Sequence, residues 1–453
     1  MTIDDVGLAD NRLTLWDEAL VRANRATGRV QLIQCVWVYE HPVNMDAVQE
    51  FYRNFGYGMA GRRVERSPLP FGRYRWVSAL GPAAPLQVNT DPLPREQVSD
   101  WADRFAQVPV DPENGPGWHM AVQAFDGGVT GISVVGSHCL GDGVAALLAV
   151  GTAVAGAKVD IGYPPPLSRR RGRAIAADLR ETLRGLPEIG RAARKAVKVL
   201  RGDGEPAAAP AEPKTVCAVA NPDELVIVPA ITAYVDLAEW DARAGSLGGN
   251  GYSMLAGFSA KLGERMGRRN PDGNISLLIA ISDRTSETDV RANAMTLVNA
   301  KVDPTEMTTD LGPTRNVLRD ALKSAKDQPN EILDLMPLTP LVPKRLVKKV
   351  ADMMIASDDM PVVCSNMGDL PPVLTTVDGT EAEYTAFYGV DQATPRGELE
   401  QGDGQLVVVS GRISGKIIIG IVAYQSGAEN SKSRLRDLTA ETLAEFDLTA
   451  VFV

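Results

Sequence analysis

Residues 169–201 divide this chain and constrain its fold more than any other feature. They hold eleven Lys or Arg against three acids (Asp178, Glu181, Glu188), eight net positive charges in a protein whose total is −10. Ile175, Leu179, Leu183, Leu186, Ile189, Ala193, Val197 and Leu200 step by three or four, the spacing of one helical face. Gly185-Leu186-Pro187 predicts a division into two helices, because proline lacks the backbone donor and crowds the preceding turn. Gly202–Pro213, rich in Ala and Pro, reads as a flexible loop. Strands and helices alternate on either side. The expected organisation is an N-terminal lobe over 1–168, a basic helical crossover and linker over 169–222, and a C-terminal lobe over 223–453. Two such blocks predict an α/β (α+β) fold with mixed sheets, flanking helices and an active cleft or tunnel between the lobes. The basic face reads as a solvated crossover; its other reading is a docking surface for anionic membrane, an acidic carrier protein or a nucleotide phosphate.

In the first block, Val30–Tyr39 reads as a strand and Met45–Tyr57 as an amphipathic helix. Trp118–Phe125 and Thr130–Gly136 read as an antiparallel pair joined by Asp126-Gly127-Gly128. The sequence His138-Cys139-Leu140-Gly141-Asp142-Gly143 follows, and then the apolar run Val144–Val150, which reads as a buried helix. The motif therefore falls in a strand-to-helix turn, with Gly141 and Gly143 read as sources of backbone freedom. A histidine there with one free ring nitrogen suits a general base near neutral pH; the alternative is a core histidine satisfied by its neighbours. In the second block, helices are expected over Asp236–Leu247, Tyr252–Gly267, Thr314–Ala325 and Ser431–Glu445. Strands are expected over Ile275–Ile281, Leu297–Val302, Val362–Cys364, Glu383–Tyr388, Gln405–Ser410 and Lys416–Ala423.

Composition narrows the function. The chain has 453 residues, 44% hydrophobic and 23% charged, enough for two sizeable cores. A net charge of −10 argues against broad nucleic-acid binding. No Walker-type glycine loop is present. The four cysteines (Cys35, Cys139, Cys217, Cys364) are widely spaced, which suits a reduced cytosol and gives no zinc signal. His41 and His119 read as structural, so no metal site is expected. The N-terminus does not read as a signal peptide, and no apolar run approaches about 18 residues. A cytoplasmic protein follows, with peripheral membrane contact open through 169–201.

The ordered set of segments resembles the condensation-domain-like, chloramphenicol-acetyltransferase-like superfamily, and within it the bacterial wax ester synthase/diacylglycerol acyltransferase family. Ser137-His138-Cys139-Leu140-Gly141-Asp142-Gly143 matches His-His-x-x-x-Asp-Gly at every defined position but the first. Asn114-Gly-Pro-Gly-Trp118 is similar to the family's Pro-Leu-Trp segment. Gly249-Asn250-Gly251 is similar to an Asn-Asp helix start, with glycine for the aspartate. Ile281-Ser-Asp-Arg284, followed by Asn293, falls where the family has a Pro-x-x-x-Arg strand end and a later Asn. Ser365-Asn366-Met367-Gly368 and Tyr424-Gln-Ser-Gly427 are similar to two later family segments. The N-terminal Pro-Leu-Ser-Pro-x-Asp signature is absent, with Leu15-Trp16-Asp17-Glu18-Ala19 in its place. The departures favour a divergent branch, in lipid or secondary metabolism, over bulk storage-lipid synthesis.

The resemblance implies two chloramphenicol-acetyltransferase-like lobes and acyl transfer from a CoA or carrier-protein thioester to an alcohol. It implies no bound cofactor, the acyl-CoA or phosphopantetheine-linked acyl group being a co-substrate. His138 is then the general base of a ternary complex without an acyl-enzyme. Asp142 points away from substrate and holds the turn through a buried ion pair with Arg284; helix capping is the competing role. Gly143 admits close backbone approach to substrate. Ser365 and Asn366 stabilise the oxyanion or line the tunnel, or simply form a turn. Ser137, Cys139, Trp118 and Asn250 are acceptor or tunnel positions. Cys139 is not the expected nucleophile, since neighbours in an extended segment point to opposite sides. The alternatives are a free-standing condensation enzyme making an amide or ester from substrates carried in trans, and a non-catalytic binding member of the fold.

Overall fold

The structure is a computed structural model and describes residues 10–200, 219, 221–286, 288–327, 334–348, 361–392 and 394–453, without the side chains of 199, 200, 326 and 327. The Ala/Pro-rich stretch and Cys217 lie outside the described residues.

Two sheets organise the chain. The first has five strands in the order Tyr384–Gln392, Val30–Tyr39, Thr130–Ser137, Trp118–Phe125 and Gln87–Leu93. The second has seven, in the order Met295–Val302, Ile275–Ser282, Val362–Asp369, Gln405–Ile413, Lys416–Tyr424, Ala230–Asp236 and Val451–Phe452. Both are mixed. Gln87–Leu93 runs parallel to Trp118–Phe125, and Val362–Asp369 runs parallel to both its neighbours. Most strands are apolar, β-branched runs of the sequence buried on one or both faces; the edge strand Gln87–Leu93 is polar and exposed.

One strand crosses between the blocks. Tyr384–Gln392 comes from the second block, yet it pairs along nine residues with Val30–Val38 of the first sheet. Its backbone also lies close over Lys416–Tyr424: a Cβ on Gly420 would stand 2.4 Å from the carbonyl oxygen of Phe387. Tyr234 Oη donates to the carbonyl of Thr385 at 3.1 Å. The core around Trp37, Phe51 and Trp118 is completed by Leu374, Phe387 and Ile418. The cores are thus shared across the crossover, and the first sheet is not built from residues 1–168 alone.

The expected break at Gly185-Leu186-Pro187 does not occur. A single helix spans Arg171–Leu200 with Pro187 inside it. The carbonyl that Pro187 deprives of a partner is that of Leu183, a residue 56% exposed. A freed carbonyl on a solvated face is satisfied by water, which lowers the cost of proline there.

Candidate active site

The motif sits where a buried strand stops. Thr130–Ser137 pairs on both edges, with Val30–Tyr39 and Trp118–Phe125. Ser137 Oγ then accepts from the Cys139 backbone N–H at 3.3 Å. His138–Leu140 make one short 3-10 turn, and Asp142 opens the helix Gly143–Val154.

His138 is half-buried. Its Nδ1 is buried without a partner, and neither ring nitrogen hydrogen-bonds to a described residue. His41 and His119 each have one ring nitrogen hydrogen-bonded to a backbone carbonyl, although His119 Nδ1 is also unpaired; His138 has neither nitrogen so engaged among the described residues. Its backbone is held firmly instead. The His138 carbonyl accepts from Asn293 Nδ2 at 3.3 Å. Asp17 Oδ1 in turn accepts from Asn293 Nδ2 at 2.9 Å and from its N–H at 3.0 Å. Asp17, fully buried, stands in the first turn of the helix Leu15–Thr27. Three distant segments therefore fix the turn and leave the imidazole unengaged.

Both oxygens of the Asp142 carboxylate are engaged. Oδ1 accepts from Arg284 Nη2 at 2.9 Å and from the Ala145 N–H at 2.8 Å. Oδ2 accepts from the Ala294 N–H at 2.8 Å. The ion pair is buried, with side-chain exposures of 5% and 7%. Arg284 also donates to the carbonyls of Asp289, Arg291 and Ala292. Asp142 is a helix cap and an ion-pair partner at once, so the two readings of its sequence are not exclusive.

The motif glycines supply space, not unusual dihedrals. Gly141 is extended (φ 177°), and a Cβ there would lie 2.7 Å from Ala145 Cβ. A Cβ on Gly143 would lie 3.2 Å from Met367 Cε. What approaches Gly143 closely is thus a side chain of the strand Val362–Asp369, and the expectation of backbone freedom at these two positions is corrected to one of packing room.

The same strand carries Ser365 and Asn366, next to the Met367 that meets Gly143. Both are half-buried. Asn366 Oδ1 accepts from the Gly368 N–H at 2.9 Å, a turn that Gly368 enters at φ 70°; Asn366 Nδ2 donates to no described residue. Trp118 packs on Phe55 with ring centroids 4.9 Å apart. It lines a small apolar cavity of about 60 Å³ beside the motif, with Ile33, Cys35, Leu140 and Ala145. Asn250 is placed elsewhere: it caps the helix Gly251–Arg265 in a reciprocal box with Ser253 and lines a different cavity of about 730 Å³. Cys139 is only 1% exposed, in the cluster under the N-terminal helix, where Asn24 Nδ2 donates to its Sγ at 3.3 Å. A thiol so enclosed does not line a substrate channel.

Burial pushes the Cys139 thiol up to about 12, Cys35 to about 12 and Cys364 to about 11. The thiolate is the reactive form. Iodoacetamide at neutral pH is therefore expected to leave these three unmodified in folded protein and to label them after denaturation. Peptide mass mapping checks this, and native labelling of Cys139 would revive it as a nucleophile.

Three site residues gave no usable sequence signal. Arg62 is 1% exposed, lies 4.5 Å from the Trp76 ring and donates to the Leu140 carbonyl at 2.7 Å; in sequence it is one Arg of a pair. Asp17 looks like an ordinary first-turn acid. Asp391 belongs to the crossing strand. It pairs opposite Gln31, whose next residue Leu32 pairs with Ser137, so Asp391, Gln31 and His138 share one end of three adjacent strands. Burial raises the Asp391 carboxyl, against the opposing charges of Arg29 and His138. Among the described residues, no group of three or more His, Cys, Asp or Glu could hold a metal ion.

No protein-family model matches the chain, and no curated protein matches it in sequence. Solved structures do match in fold. A wax ester synthase/diacylglycerol acyltransferase from Marinobacter aquaeolei VT8 has a TM-score of 0.55 at 12% identity, covering 96% of this chain and 98% of that one. The first condensation domain of the CDA synthetase has a TM-score of 0.56 at 11% identity, covering 99% and 100%. The nonribosomal peptide synthetase FmoA3 has a TM-score of 0.53 at 16% identity, covering 98% of this chain and 42% of that one. The chain has the two-lobe condensation-domain, chloramphenicol-acetyltransferase-like fold.

Proposed function

We propose that this protein is an acyltransferase that moves an acyl group from a CoA or carrier-protein thioester to an alcohol, forming an ester, with His138 as general base. The observation that carries the reading is the unengaged, half-buried imidazole on a turn fixed by Asn293, Asp142 and Arg284. A turn held so tightly around a side chain that hydrogen-bonds to no described residue suits preorganised chemistry.

The thioester is already activated, so no acyl-enzyme is needed. Binding both substrates in one tunnel turns a bimolecular step into a local one. His138 accepts the acceptor's O–H proton as its oxygen bonds to the thioester carbonyl carbon. The tetrahedral intermediate expels the thiolate by C–S cleavage, and the proton on His138 passes to the sulfur. Asn366 Nδ2, with Ser365, is the proposed donor to the oxyanion. Asp142 takes no part in proton transfer, because both its oxygens are engaged by Arg284 and two backbone amides.

A second reading, amide formation from carrier-bound substrates, has support in Asp391, a half-buried carboxyl group at the same strand end as His138, since a carboxylate suits a cationic amine acceptor. A non-catalytic role is disfavoured, because a binding scaffold gains nothing from leaving a buried ring nitrogen unpaired.

The test is mass spectrometry of products from purified protein given acyl-CoAs from acetyl to palmitoyl, and the same chains loaded on an acyl carrier protein. Alcohols, a diglyceride and amines are the pooled acceptors. New esters are expected. Amides alone would replace the first reading with the second. No product from either donor class would overturn both.

A further inference from the structure

The helix Arg171–Leu200 carries three distinct faces. It docks on the protein through small and acidic residues: Ala174, Asp178 and Ala192 are 5%, 2% and 2% exposed. Asp178 accepts from Arg169 Nη1 at 2.7 Å, and Glu181 pairs with Arg75. About 100° around the axis, the apolar stripe that ordinarily seats a helix is in water instead. Ile175, Leu179, Leu183, Leu186 and Val197 are 36–56% exposed. Beyond the stripe lie exposed cations, of which Arg173, Arg180, Arg184 and Arg191 make no ion pair with a described residue.

The surface continues past the helix. The turn Met336–Leu341 packs against it, and Lys195 pairs with Asp334 at 2.9 Å. There Leu341 and Leu346 are 42% and 49% exposed, beside exposed Lys344 and Arg345.

We infer that this face is a docking surface for an anionic lipid bilayer, on which the helix lies flat with its leucine stripe among the acyl chains and its arginines at the headgroups. An apolar stripe from Ile175 to Val197, about 33 Å at 1.5 Å per residue on a helix that contains Pro187, flanked by Arg, is the pattern of an interfacial helix. Charge selects the occupant. A second copy meeting along the stripe would set two arginine rows against each other. An acidic protein would answer the arginines, but the leucines call for an apolar phase alongside the anionic groups, and a bilayer offers both in register. The rest of the chain is acidic, so the attraction is local and sensitive to salt.

Flotation of the whole protein with phosphatidylcholine vesicles, with and without phosphatidylglycerol, tests this. Wild type is expected to float with the anionic vesicles at low salt and to be released at high salt. Leu179→Ser/Leu183→Ser/Leu186→Ser should bind at least about tenfold more weakly. Arg180→Gln/Arg184→Gln/Arg191→Gln should lose the preference for anionic lipid. All six side chains are exposed, so both variants should keep the wild-type circular dichroism spectrum. Wild type that does not float, or a leucine variant that floats equally well, overturns the proposal. So does a wild-type dimer that the leucine variant converts to monomer in ultracentrifugation, or capture by an acidic carrier protein in the absence of flotation.

Discussion

Replacing His138 with alanine is expected to leave a folded protein whose acyl transfer falls by about 10²–10⁴-fold, the usual contribution of a positioned general base. Folding should survive because the ring hydrogen-bonds to no described residue. What holds the turn is the residue's backbone carbonyl, received by Asn293, and this remains in the alanine variant. The loss should appear equally in kcat and kcat/KM, since proton removal is realised only in the transition state. A raised KM with unchanged kcat would instead make His138 a binding group. A folded variant with wild-type kcat would remove it as the base, and the proposed mechanism with it. The measurement pairs steady-state kinetics, on whichever donor and acceptor the product panel identifies, with a thermal melt.

The motif was legible because its signals are local. An alternating apolar strand, a turn and an apolar helix adjoin in sequence, so the position of His138 followed from periodicity alone. Cys139 is enclosed under the N-terminal helix, but not through strand alternation, because His138 and Cys139 stand in a 3-10 turn and not in an extended segment. What could not be read was long-range. Tyr384–Gln392 has the composition of any buried strand, and nothing in it states that its partner lies more than 340 residues earlier. Asp391 reaches the site only through that pairing. The same limit hid Asp17, whose carboxylate is committed to Asn293 across 276 residues.

Two features of the structure depart from the sequence pattern for different physical reasons. Gly141 and Gly143 suggested unusual backbone angles, but their neighbours Ala145 and Met367 show that missing volume is what matters there. The apolar steps along 175–200 are expected to form one face of a helix, beside a solvated basic face. The face that packs is set by ion pairs of Asp178 and Glu181 with Arg169 and Arg75, and the leucine stripe is turned out. Hydrophobic period identifies a helix; it does not say which of two candidate faces the rest of the protein will meet.

Asp142→Ala is expected to destabilise the protein by about 3–5 kcal/mol, because it leaves the Arg284 guanidinium buried without its anion. That is a large share of a typical folding stability of roughly 5–15 kcal/mol. Loss of the helix cap contributes about 0.5–2 kcal/mol within that total. Asp142→Asn keeps an oxygen for the Ala145 N–H while losing the charge, but it turns an NH2 toward the Ala294 N–H, so any stability it recovers over alanine is a lower bound on the share of the cap. If the ion pair dominates, the asparagine variant should be nearly as unstable as the alanine variant; if capping dominates, it should recover most of the loss. Arg284 keeps three carbonyl acceptors in either case, which limits the damage but supplies no negative charge. The decisive variant is Asp142→Ala/Arg284→Met, which removes both charges. It should be more stable than Asp142→Ala alone, the non-additivity expected of a coupled buried pair. Denaturant unfolding of the four proteins measures this directly. An alanine variant within about 0.5 kcal/mol of wild type, the range of an ordinary surface substitution, would show that the clamp does not hold the turn. The preorganisation on which the role of His138 rests would then need another source.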